Sequence, residues 1–157
     1  MTQISGKVSK DLKKTLSFLA LGLVFAAFAV SLVRFALGRT GERRIFYFQS
    51  LDDGHVCTEI RFLSPDAVQG SVAFFVDELL LGPMTNRYSR LFTPGTVAEF
   101  CIVQDNMLHV GLSADALRRA VDTSPLKTGV ELLRRNVLAN FSGIRGVFVY
   151  IDGKQAW

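Results

Sequence analysis

The sequence predicts an α+β domain, a five-stranded mixed sheet with two long helices on one face, carried behind one N-terminal transmembrane helix. Three observations predict it. Residues 15–33 (TLSFLALGLVFAAFAVSLV) hold no charge. Two later segments place apolar residues at helical spacing. Five short segments around them are apolar runs or alternate with period two.

The uncharged run comes first. As a helix at ~1.5 Å per residue it spans about 28 Å, close to the ~30 Å hydrocarbon core of a bilayer. Lys7, Lys10, Lys13 and Lys14 precede it; Arg34, Arg39, Arg43 and Arg44 follow. The expected organisation is a cytoplasmic basic tail (1–14), a transmembrane helix (15–37), a juxtamembrane linker (38–44) and a globular domain (45–157). Both flanks carry four basic residues, but Lys13-Lys14 abut the membrane on a short, simple tail. That pattern fits a signal anchor in the cytoplasmic (inner) membrane, N-terminus inside and domain outside. Ala27-Phe28-Ala29 has the small-x-small form of a cleavage site. Against cleavage, the apolar run continues through Val30, Leu32 and Val33 with no breaker. No cysteine near the end of the run offers a lipid attachment site.

Residues 45–48 (IFYF) read as the first strand and Asp52-Asp53-Gly54 as its turn. Residues 56–62 alternate, with Val56, Thr58, Ile60 and Phe62 on one face and Cys57, Glu59 and Arg61 on the other. This predicts a half-buried strand. Ser64-Pro65-Asp66 reads as a helix start, with Ser as cap, Pro in the first turn and an acid beside it. Val68, Val72, Phe75, Val76, Leu79 and Leu80 form its stripe, and Gly82-Pro83 ends it. Residues 84–95 are a loop. A hairpin follows: Ala98, Phe100 and Ile102 alternate with Glu99, Cys101 and Val103, and Asp105-Asn106 turns the chain. Leu108, Val110 and Leu112 then point inward, opposite Met107, His109 and Gly111. Residues 113–121 fit two helical turns. Ser124-Pro125 repeats the capping pair, and Leu126, Val130, Leu133, Val137 and Phe141 make the second stripe. Residues 147–151 (VFVYI) are the last strand, ending at Asp152-Gly153. The order is ββαββ(short α)αβ.

Charge is unevenly spread. Residues 1–44 hold eight Lys/Arg against two acids, and residues 45–157 hold ten against twelve. The basic character sits beside the membrane, where anionic head groups are met. The mildly acidic domain is unsuited to nucleic acid, whose phosphates need a basic face. Its length suffices for one core and not two.

Four segments in this order resemble the GerMN domain of bacterial spore-germination and sporulation proteins. Residues 76–83 (VDELLLGP) resemble that family's leucine-rich helix end followed by Gly-Pro, here Leu80, Gly82 and Pro83. Residues 92–96 (FTPGT) resemble its strand entry, here Pro94, Gly95 and Thr96. Residues 108–113 (LHVGLS) resemble an internal strand ending in Leu-Ser. Residues 147–153 (VFVYIDG) resemble the final strand and its turn, Asp152-Gly153. Gly111 departs from the Asp or Asn common in the family, and many members are lipoproteins or have tandem copies, whereas this chain has one copy and a membrane helix. The resemblance implies a non-enzymatic envelope module, in some members tied to assembly of large membrane complexes.

Little else points to chemistry. His55, Cys57, Cys101 and His109 are zinc-compatible types but lack ligand spacing, so no metal and no cofactor are expected. A Cys57–Cys101 disulfide would suit an oxidising compartment. No nucleophile elbow, phosphate loop or dinucleotide fingerprint is present in the sequence. If Val147, Val149 and Ile151 face the helices, Phe148 and Tyr150 face outward. With Glu59 and Arg61 they make the candidate interface. The expected partners are the membrane, envelope proteins or a second copy of this chain, and peptidoglycan as an alternative.

Overall fold

The computed structural model describes residues 3–37, 41–65 and 67–156. It has two units, residues 1–40 and 41–157. The first is a continuous helix, α1 (Gln3–Leu37), so helix already covers most of the expected tail. Its stretch Phe18–Phe35 is long and apolar enough to cross a membrane, and those side chains are exposed.

In the second unit β1 (Glu42–Ser50) and β2 (Val56–Leu63) form an antiparallel hairpin. Helix α2 (Ser71–Leu81) follows, then β3 (Tyr88–Ser89), a two-residue strand on the far end of β1. β4 (Ala98–Gln104) and β5 (Met107–Leu112) form the expected second hairpin. Asp105 and Asn106 both sit at positive φ, 51° and 63°, as a tight two-residue hairpin turn requires. A 3-10 turn (Ala114–Leu117) leads to α3 (Leu126–Asn140). β6 (Gly146–Ile151) returns parallel to β5, and β7 (Lys154–Gln155) folds back on β6 through Asp152-Gly153.

The strands make two sheets, not the expected five-stranded one: β2-β1-β3 and β4-β5-β6-β7. Side chains of α3 occupy the edge of β1 that a single sheet would need. The Asn136 carboxamide accepts from Tyr47 N–H at 2.8 Å and donates to Tyr47 C=O at 2.9 Å. One turn on, Asn140 accepts from Ile45 N–H at 2.9 Å and donates to Ile45 C=O at 2.6 Å. Each amide replaces a neighbouring strand's pairing, so the edge is satisfied without a strand. On the other sheet Arg134 donates to the Val147 and Ala156 carbonyls. Helix α3 therefore stitches the two sheets, packing on β1 and β6, whereas α2 packs on β4 and touches α3.

Apolar residues from both sheets and both helices share one core. Phe46, Phe48, Phe75, Val76, Leu79, Leu108, Val110, Val130, Leu133, Val137 and Val149 are fully buried. Phe75 stacks on Phe46 at 4.6 Å and meets Phe141 edge-on at 5.3 Å.

Three local expectations are corrected. Helix α2 starts at Ser71, not Ser64: Gly70 at φ 86° takes the cap position, and Val68 lies fully exposed before it. Asp66 lies outside the described residues. Helix α3 is preceded by Pro125, and the buried Ser124 hydroxyl has no partner rather than capping the helix. Residues 113–121 form only the single 3-10 turn, with Val121 exposed.

Candidate interaction face

β6 alternates as its sequence requires. Val147, Val149 and Ile151 are buried, and Phe148 and Tyr150 point to the opposite, open face. Register places His109 beside Phe148 and Gly111 beside Tyr150 across β5–β6. Across β4–β5 it places Ile102 beside His109 and Phe100 beside Gly111. The result is a patch of rings. His109 stacks on Phe148 at 5.1 Å and on Tyr150 at 6.0 Å, and its Nδ1 is 3.3 Å from the Tyr150 hydroxyl. Phe100 tilts onto Tyr150 at 5.9 Å.

Gly111 makes this possible. A Cβ there would lie 2.1 Å from the Phe100 ring, so the ring lies flat across the glycine. This accounts for the absence of Asp or Asn at that position. Sequence reasoning placed Phe148 and Tyr150 here and His109 on the outer side of its strand, but named neither His109 nor Phe100 as part of the interface. The available signal was Gly111 opposite an aromatic residue in a hairpin register.

Glu59 and Arg61, the other two candidates, are not on this face and are not outward. They sit on the inner side of β2 beneath α2, with side chains 13% and 9% exposed. Arg61 Nε meets Glu59 at 2.6 Å, and its guanidinium donates to the carbonyls of Glu78 (3.1 Å) and Gly82 (2.7 Å). It also lies 4.5 Å over the Phe46 ring. A cation there satisfies orphan carbonyls at the C-terminal end of α2, where the helix dipole favours positive charge. Glu59 in turn accepts from Met84 N–H at 3.1 Å. Val56, Ile60 and Phe62 consequently face solvent.

The motif residues are turns and closures. Gly82 (φ 93°) ends α2 under the Arg61 clamp, and Pro83 leaves it. Gly95 (φ 93°) makes the turn in which Thr96 bonds to the Thr93 carbonyl at 2.7 Å. Asp152 (φ 50°) and Gly153 (φ 71°) form the β6–β7 turn. The first two motifs share a groove of about 460 Å³ lined by Leu80, Leu81, Pro94, Gly95 and Thr96, with Asp77 and Arg90 among its walls.

The cysteines are free, one on each sheet, so no disulfide joins them. Cys101 pairs in register with the buried Val110, whereas His109 points to the ring face; the zinc-compatible set does not converge. Burial, and then the charge of Asp77, push the Cys101 thiol up to about 11, which keeps it protonated and unreactive at neutral pH.

No family model matches the chain. It is 29% identical over 104 residues to an uncharacterized lipoprotein of Treponema pallidum (strain Nichols), covering 66% of this chain and 78% of that protein. The first GerMN domain of the sporulation protein GerM from Bacillus subtilis superposes with a TM-score of 0.57 at 17% identity, over 73% of this chain and 86% of that one. The tandem GerMN domains of the same protein give 0.59 at 16% identity, over 74% of this chain and 41% of the two-domain structure. The domain has the GerMN fold.

Proposed function

We propose that this chain is a non-catalytic, single-pass protein of the cytoplasmic membrane, with its GerMN-like domain outside. In this reading it is a scaffold or assembly subunit of an envelope complex. The patch of Phe100, His109, Phe148 and Tyr150 carries the reading. Half-buried rings stacked on one face of a sheet are the side chains that anchor protein interfaces. The apolar span of α1 supports the membrane part, and the likeness to a lipoprotein supports an envelope location.

The test is a photo-crosslinking residue at Phe148 in the full chain, expressed in its own host. A discrete adduct with another envelope protein is expected, absent when the probe replaces Asp53 in the β1–β2 turn. Identical patterns from both positions would defeat the reading.

A second reading, a binding module for peptidoglycan or a small envelope ligand, draws on the groove between Leu80 and Thr96. Its predominantly apolar walls favour a small apolar ligand over a glycan. Binding of a small apolar dye to the protein, lost in Leu81→Asp, would favour this reading instead; retention on purified sacculi, lost in the same variant, would favour its peptidoglycan form.

A further inference from the structure

Strand β2 turns Ile60 and Phe62 outward, at 51% and 70% exposure, while burying an arginine and a glutamate. Met84, 80% exposed, lines the same groove as Ile60 and Phe62. Contiguous exposed apolar surface marks a contact. The chain's own connectivity says with what.

Phe62 pairs in register with Arg43, at the start of β1. It also packs against Gly41: a Cβ at Gly41 would lie 2.8 Å from Phe62 Cβ. Only residues 38–40 separate Gly41 from the end of α1 at Leu37. Four peptide steps reach at most about 14 Å. The head-group layer beyond the hydrocarbon adds roughly 5–7 Å on each side. Phe62 thus lies at the end of the domain where the chain from α1 joins it. The opposite end of the hairpin, at residues 51–55, lies about 27 Å further along β1. Arg43 shares the outer face with Phe62, so the patch has beside it a charge that suits anionic head groups.

We infer that Phe62, Ile60 and Met84 form a lipid-docking patch that seats the domain on the membrane carrying its anchor. The inference rests on the reading of α1 as a membrane anchor. Seating would fix one orientation on a short tether and turn a fixed side of the domain to its partners.

The full chain, its two cysteines replaced by alanine, is reconstituted into vesicles of equimolar phosphatidylcholine and phosphatidylglycerol carrying nitroxide-labelled lipid. A fluorophore is placed by Phe62→Cys, Met84→Cys, Asp53→Cys or Leu23→Cys. The proposal expects strong quenching at Leu23 and several-fold more quenching at Phe62 and Met84 than at Asp53. In Phe62→Glu, quenching at Met84 falls to the Asp53 level with the melting temperature unchanged. Quenching at Leu23 with Phe62 no different from Asp53 overturns the docking and leaves the anchor standing. No quenching at Leu23 overturns both.

Discussion

β2 and β6 both alternate in sequence, yet they bury opposite kinds of side chain. β6 puts Val147, Val149 and Ile151 inside and its aromatics outside. β2 puts Glu59 and Arg61 inside and Val56, Ile60 and Phe62 outside. The difference lies in what each strand packs against. β6 lies in the middle of its sheet and shares its buried face with apolar Leu108, Val110 and Leu112 of β5. β2 lies beneath the C-terminal end of α2, whose carbonyls need donors. Alternation thus defines two faces, and the chemistry of the covering element chooses which is inside.

The largest effect that would break this comparison is at Val149. Val149→Asp puts an unpaired charge in a fully buried site, at a cost above about 4 kcal/mol, and should abolish the domain's cooperative melt. Near-UV circular dichroism of the full chain in detergent checks this. A retained native signal would place β6 the other way round.

Next is the seam between the sheets. Asn136→Leu strands the Tyr47 N–H and C=O, and should cost ~2–4 kcal/mol. Asn140→Leu, at a half-buried site, should cost less. An unchanged denaturation midpoint for Asn136→Leu would mean that the two sheets are held together by something else.

On β2 itself, charge should matter more than apolarity. Arg61→Met should cost ~1–3 kcal/mol by freeing the Glu78 and Gly82 carbonyls and leaving the Glu59 carboxylate without its cation. Phe62→Ser should stay within about 0.5 kcal/mol. The reverse ranking would restore the apolar-in arrangement.

The effect with no weight at neutral pH is at Cys101, whose thiol is raised from 9.0 to about 11 in the fold. Below pH 9 the thiol is protonated in both states and its contribution to stability is intact. Between pH 9 and 11 the unfolded chain ionises first, so stability falls as pH rises. Cys101→Val should flatten that part of the stability profile; an unchanged slope would reject the burial argument.

Much of this was legible in the sequence. The apolar helix, both hairpins, the α2 exit at Gly82-Pro83 and the outward side of Phe148 and Tyr150 follow from spacing and turn chemistry. The rest depends on partners remote in the chain. Arg61 reaches Gly82, 21 residues away, and Asn136 reaches Tyr47, 89 residues away. The i,i+4 asparagines are visible in the sequence, but nothing local marks them as the edge of a sheet. For the same reason two sheets could not be told from one.

The most direct test of the interaction face is Tyr150→Asp with the photo-crosslinking residue at Phe148, followed by melting temperature and adduct yield. The account predicts a melting temperature near that of the parent chain and loss of the adduct, because the charge lands on a surface that must be desolvated on docking. A domain that melts as severely as Val149→Asp, or an adduct that survives undiminished, would contradict it.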